Sequence, residues 1–168
     1  MRKICFLVAF IANTLLILAE GNTMELTSLV LTSEGNFRIS AKSSEEDEAE
    51  ILSVRVVKLT EKDSTDVCDV KLLTRSYNCP VDLLNELEPV DNGFRVQFVS
   101  CADYLFVTTD LTFVFDQASK EFVCISYVES YVDRQEPDKE IKPKEYKVSR
   151  VKLRDFTEDT LWNLSKGK

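Results

Sequence analysis

The sequence predicts an all-β protein: a disulfide-stapled antiparallel β-sandwich, or alternatively a β-barrel, with one or two short helices. Three observations lead there. Runs rich in Val, Ile, Leu, Phe, Tyr and Thr recur along the chain with polar turn residues between them. Several runs alternate apolar and polar residues, which sets one face on a core and the other in water. Four cysteines, Cys68, Cys79, Cys101 and Cys124, lie within this strand-rich part, behind an N-terminal segment of export type.

That segment comes first. Arg2 and Lys3 precede an apolar run from Ile4 to Ala19, interrupted at Asn13 and Thr14. Ala19 and Gly21 then supply small residues at the −3 and −1 positions of a cut after Gly21, the pattern of a secretory signal. A cut after Ala19 would put the bulkier Ile17 at −3. A membrane anchor needs about 20 apolar residues to cross roughly 30 Å of hydrocarbon, and this run is shorter and holds a central Asn. A buried helix would show polar residues at helical spacing. The expected organisation is therefore a cleaved signal over 1–21 and one β-rich domain over 22–168, secreted to an extracellular setting. No later stretch approaches membrane length, so no stable insertion of the mature chain is expected.

Strands follow in order. "ELTSLVLTS" (25–33) and "NFRISA" (36–41) flank the Glu34-Gly35 turn, and "EILSVRVVKL" (50–59) is β-branched. "DVCDVKLLT" (66–74) follows a polar turn. "GFRVQFVSC" (93–101) sets Phe94, Val96 and Phe98 opposite Arg95 and Gln97. "YLFVTTDLTFVF" (104–115) and "EFVCISYVESYV" (121–132) are apolar on both faces in places, as central strands are. "EYKVSRVKLRDF" (145–156) reads as a last strand with a bulge near Ser149–Val151. Asp91-Asn92-Gly93 is a turn signal. "CPVDLLNELEP" reads as a short helix: Pro80 and Asp82 suit its start, Leu83, Leu84 and Leu87 share a face, and Pro89 ends it. "TEDTLWNLSKGK" (157–168) reads as a C-terminal turn or two that lays Trp162 against the sheet.

In an exported chain, four cysteines imply two bridges. Three connectivities exist, and the local pairs Cys68–Cys79 and Cys101–Cys124 are favoured. Zinc is not expected, because there is no CxxC spacing and no histidine anywhere in the chain.

Composition narrows the function. The chain of 168 residues carries 21 basic and 29 acidic side chains, a net charge of −8, which argues against a nucleic-acid binder. Without histidine, the Ser-His-Asp and Cys-His nucleophile pairs are excluded. No enzyme and no cofactor are expected. The acidic run Glu45, Glu46, Asp47, Glu48 and Glu50 reads as a solvated loop or a patch for a basic partner. Lys142, Lys144, Lys147, Arg150, Lys152 and Arg154 read as edge protection or an anionic-ligand site. Phe94, Phe98, Tyr104, Phe106, Phe113, Phe115, Phe122, Tyr127 and Tyr131 read as core, with a ligand cavity as the rival. Asn163-Leu164-Ser165 is a glycosylation sequon. Taken together, the expectation is a secreted binding protein for an extracellular protein partner with a basic surface. The alternative is a carrier of a small hydrophobic ligand in a barrel or between sheets.

Overall fold

The computed structural model describes residues 23–46, 48–76 and 79–166. The signal reading over 1–21 lies outside the described residues. Among the described residues nine strands form two antiparallel sheets, each a simple meander in chain order. Sheet 1 holds β1 (Met24–Thr32), β2 (Gly35–Glu46), β3 (Ala49–Leu59) and β4 (Ser64–Ser76). Sheet 2 holds β5 (Leu84–Val90), β6 (Gly93–Ala102), β7 (Leu105–Asp116), β8 (Glu121–Asp133) and β9 (Lys144–Tyr146). Neither meander returns to pair its first strand with its last, so no closed barrel forms.

Period-two patterning builds the shared core. On β1, Leu26, Ser28 and Val30 are buried while Glu25, Thr27, Leu29 and Leu31 are exposed. Phe37, Ile39 and Ala41 continue that inward face on β2. From sheet 2 come Phe94, Phe113, Phe115 and Phe122; Phe94 stacks on Phe113 at 5.2 Å, and Phe37 meets Phe122 edge-on at 5.3 Å. Such aromatic pairs add about 0.5–1.5 kcal/mol each beyond their burial. Asp91 and Asn92 form the β5–β6 turn, with Asn92 at φ 57°. Gly93 is required there, because a Cβ would sit 2.0 Å from the Phe113 carbonyl oxygen.

Three expected elements are corrected. The helix expected over 80–89 is strand β5 instead. Leu84 faces Phe98 and Leu87 faces Val96, with a register shift between them. That bulge brings residues three apart onto one face, and this is why the sequence looked helical. Pro89 is tolerated because β5 is an edge strand. The last long strand shrinks to β9, paired with β8 only at Tyr127, Val128 and Glu129. Beyond it Arg150 turns left-handed at φ 51°, Lys152 makes one bridge to Val123, and a 3-10 turn spans Leu153–Asp155. Helix α1 (Glu158–Ser165) does form, opened by a Thr157–Thr160 capping box. Its buried residue is Leu161, whereas Trp162 is 60% exposed. Leu153, Phe156 and Leu161 enter the core from this tail, and Phe156 meets Phe113 at 5.4 Å.

The cysteine pairing is also corrected. Cys79 bonds Cys101, with Cα atoms 5.6 Å apart, and this is the one disulfide among the described residues. Cys68 and Cys124 are free thiols. Neither favoured local pair is within reach. Extended strand from Cys68 to the end of β4 at Ser76 spans about 26 Å, and β7 runs extended between the partners of Cys101 and Cys124. Burial pushes the Cys68 thiol up to about 11 and the Cys124 thiol up to about 12, so neither is a ready nucleophile.

Candidate functional site

The inward face of sheet 2 changes chemistry along its strands. Register sets Val96, Leu111, Tyr127 and Tyr146 in one cross-strand row. The next row holds Phe98, Thr109, Glu129 and Lys144, and the one beyond holds Ser100, Val107 and Tyr131. At the Phe94 end the face lies in the shared core. At the other end it floors an open groove of about 820 Å³, roofed by α1 through Leu161 and Trp162. From sheet 1 only Leu73 reaches this groove.

Glu129 is its centre. Tyr131 donates a hydrogen bond to Glu129 Oε2 at 2.6 Å and Tyr146 to the same oxygen at 2.7 Å. Tyr127 donates to Oε1. The rings of Tyr127 and Tyr146 stack at 4.5 Å, and the Tyr131 and Tyr146 hydroxyls lie 3.3 Å apart. Burial, and then the adjoining carboxylate that accepts their protons, holds the Tyr127 and Tyr131 phenols above their ordinary range. Burial raises Tyr146 as well. A bulge on β8 between the partners of Thr112 and Phe113 makes this alignment possible. It puts Cys124 and Tyr127 on the same face, after which Tyr127, Glu129 and Tyr131 follow at period two.

Charge on the groove is mainly negative. Glu158 and Asp159, from the first turn of α1, join Glu129 on the lining against Lys144. Two lysines sit over aromatic rings of this groove: Lys144 Nζ is 5.1 Å from the Tyr131 centroid, and Lys166 Nζ is 3.8 Å from that of Trp162. Among the described residues no ion pair to Glu129 forms.

The sequence-predicted sites fare differently. The acidic run is not a loop: Glu45 and Glu46 end β2, Glu48 makes the turn at φ 67°, and Glu50 lies in β3. Asp47 lies outside the described residues. Glu45, Glu46 and Glu48 are exposed, but Glu50 is claimed by the buried Arg75, whose Nε donates to it at 2.6 Å. Arg75 also donates to the Val99 carbonyl at 2.7 Å and to the Val81 carbonyl, clasping sheet 1 to sheet 2. The basic set does not gather into one face. Arg150 pairs with Asp116 at 2.7 Å, Lys152 pairs with Glu121 at 2.6 Å and Arg154 joins Glu121. Lys144 turns into the groove, and Lys142 and Lys147 are exposed. Asn163 is exposed on α1.

Of the aromatic set, Phe94, Phe98, Phe113, Phe115 and Phe122 are core. Tyr104 is exposed, and Phe106 lies under Arg134 at 5.3 Å. Tyr127 and Tyr131 belong to the groove. Glu129 and Tyr146 were not singled out from sequence. The signal was present in "SYVESYV", where an acid takes the period-two position between two tyrosines.

Comparison with protein-family models, curated proteins and solved structures yields no match.

Proposed function

We propose that this is a secreted extracellular binding protein of the β-sandwich type, acting by recognition without chemistry. Its groove beneath α1 takes a basic group from its partner. The observation that carries this reading is the carboxylate of Glu129, ringed by three phenols and joined by Glu158 and Asp159 in an open groove. Acidic clefts with low-dielectric walls focus field and draw cationic partners. Export rests on the N-terminal pattern, and the Cys79–Cys101 bridge accords with an oxidising compartment. No helix among the described residues is long and apolar enough to cross a membrane.

Trp162, the one tryptophan of the chain, lines the groove and reports on it. Titration with an oligolysine peptide should change its fluorescence saturably at low salt, and added salt should weaken that change. An equal response to oligoglutamate would sink the proposal. Intact mass of the secreted protein, before and after reduction with alkylation, tests the cut after Gly21 and glycan on Asn163.

A second reading, carriage of a small hydrophobic molecule, draws on the apolar walls Phe98, Val107 and Leu161 of the same groove. A stoichiometric lipid extracted from the purified protein would favour it. The space between the sheets is packed with Phe, Leu, Val and Ile side chains, so this reading rests on the groove.

A further inference from the structure

We infer that the cationic group suited to this groove is a quaternary ammonium, an inference that rests on the binding reading above. The argument begins with what Glu129 has left to offer. A carboxylate presents about four acceptor sites. Three are taken by Tyr127, Tyr131 and Tyr146. A guanidinium needs two parallel acceptors for its fork, and a primary ammonium wants up to three. Neither finds its full set on this carboxylate, so a primary ammonium in the groove is left to Glu158 and Asp159. Its negative charge nevertheless remains, in a half-buried setting where water screens it less than in bulk.

A quaternary ammonium asks for no acceptor. Its methyl groups carry the charge and pack on aromatic faces, where the ring quadrupole attracts them. The groove supplies such faces in Tyr131 and Trp162, with the Tyr127–Tyr146 stack behind. The chain itself marks two of them as cation sites: Lys144 stands over Tyr131 and Lys166 over Trp162. Both lysines are exposed side chains on flexible stems. Lys144 is thus a tethered competitor for the position a ligand would occupy.

That competition gives the test a sign that a merely structural role would not. Trp162 fluorescence is titrated with choline and with 3,3-dimethyl-1-butanol, its uncharged isostere. Choline should bind saturably and at least tenfold more tightly than the alcohol. Tyr131→Ala should abolish the difference, Tyr131→Phe should keep most of it, and Lys144→Ala should tighten choline several-fold. Circular dichroism confirms that each variant folds. Choline no tighter than the alcohol, or weakened by Lys144→Ala, overturns the inference. If choline fails while oligolysine still saturates, the quaternary assignment falls and the basic-partner reading stands. Silence of both probes removes both. Co-sedimentation with phosphatidylcholine vesicles, and not with phosphatidylglycerol vesicles, would place the same head group on a lipid; choline binding without co-sedimentation places it on a soluble amine.

Discussion

Sheet 2 carries two chemistries on one face. From Phe94 to Leu111 the inward side chains are apolar, lie in the core shared with sheet 1 and are almost wholly shielded from water. A few residues further along the same strands the inward positions are Thr109, Glu129, Tyr131 and Lys144, and the cover is a single helix over an open groove. Backbone, pairing and direction are unchanged between the two ends. What differs is whether the second layer is a sheet that excludes water or a helix that only roofs it. One end is built to hold the molecule together. The other satisfies its polar groups internally yet leaves ring faces and charge accessible.

The sharpest way to break this contrast is to truncate one aromatic at each end. Phe113→Ala should cost about 3–5 kcal/mol, as large core deletions do, whereas Tyr131→Ala should cost about 1 kcal/mol. Urea unfolding of the two variants measures both; equal losses would mean that the open end is core after all. Next is the clasp between sheets. Arg75→Met leaves the largely buried carboxylate of Glu50 without its partner, a loss of about 3 kcal/mol. Adding Glu50→Gln should recover part of it, and no recovery would deny that the pair is the cause.

A comparable effect follows from the Cys79–Cys101 bridge. It closes a loop with a sequence separation of 22, so reduction should remove about 3 kcal/mol. Melting curves with and without reductant read this directly. Because Cys101 lies near the end of β6, between the groove residues Ser100 and Ala102, Trp162 emission should move as well. An unmoved emission would show that the bridge braces the closed end alone.

Acid should have the mildest effect. Hydrogen bonding from Lys152, helped by the charge of Arg154, holds Glu121 below its ordinary value. Ser119, helped by Arg150, lowers Asp116 likewise. A carboxyl lowered in the folded state stabilises fully above its unfolded pKa and loses that contribution as pH falls through the folded one. Loosening should therefore start from about pH 4.5 downward, the ordinary value for Glu121. It should appear first in the tail holding Arg150, Lys152 and Arg154, read by Trp162 anisotropy between pH 5 and 3. A tail that loosens on raising the pH instead would refute the pairing as its tether.

The closed end was the legible one. The strands read from 25–33, 50–59, 93–101 and 121–132 coincide with β1, β3, β6 and β8 to within a residue or a few, and alternation is clearest on β1. Bulges defeated the reading elsewhere. Leu84 and Leu87 mimic a helix face because a bulge between them restores their common direction. The groove was hidden for another reason. Tyr127 and Tyr131 follow the same period as the phenylalanines, and nothing local to β8 tells which stretch of a face a second layer will cover. The cysteine pairing failed on geometry: sequence neighbours at opposite ends of an extended strand are far apart, while Cys79 and Cys101 meet across a turn of the fold.

Leu153, Phe156 and Leu161 follow every strand in chain order, yet they complete both the core and the roof of the groove. A chain is made from its N-terminus, so each meander forms from neighbours already synthesised, a local and fast kind of assembly. The seal arrives after them. Without the segment from Leu153 to Leu161 the core lacks the Phe156–Phe113 contact and the groove lacks its α1 roof. Completion of the core and roofing of the groove thus depend on one short tail.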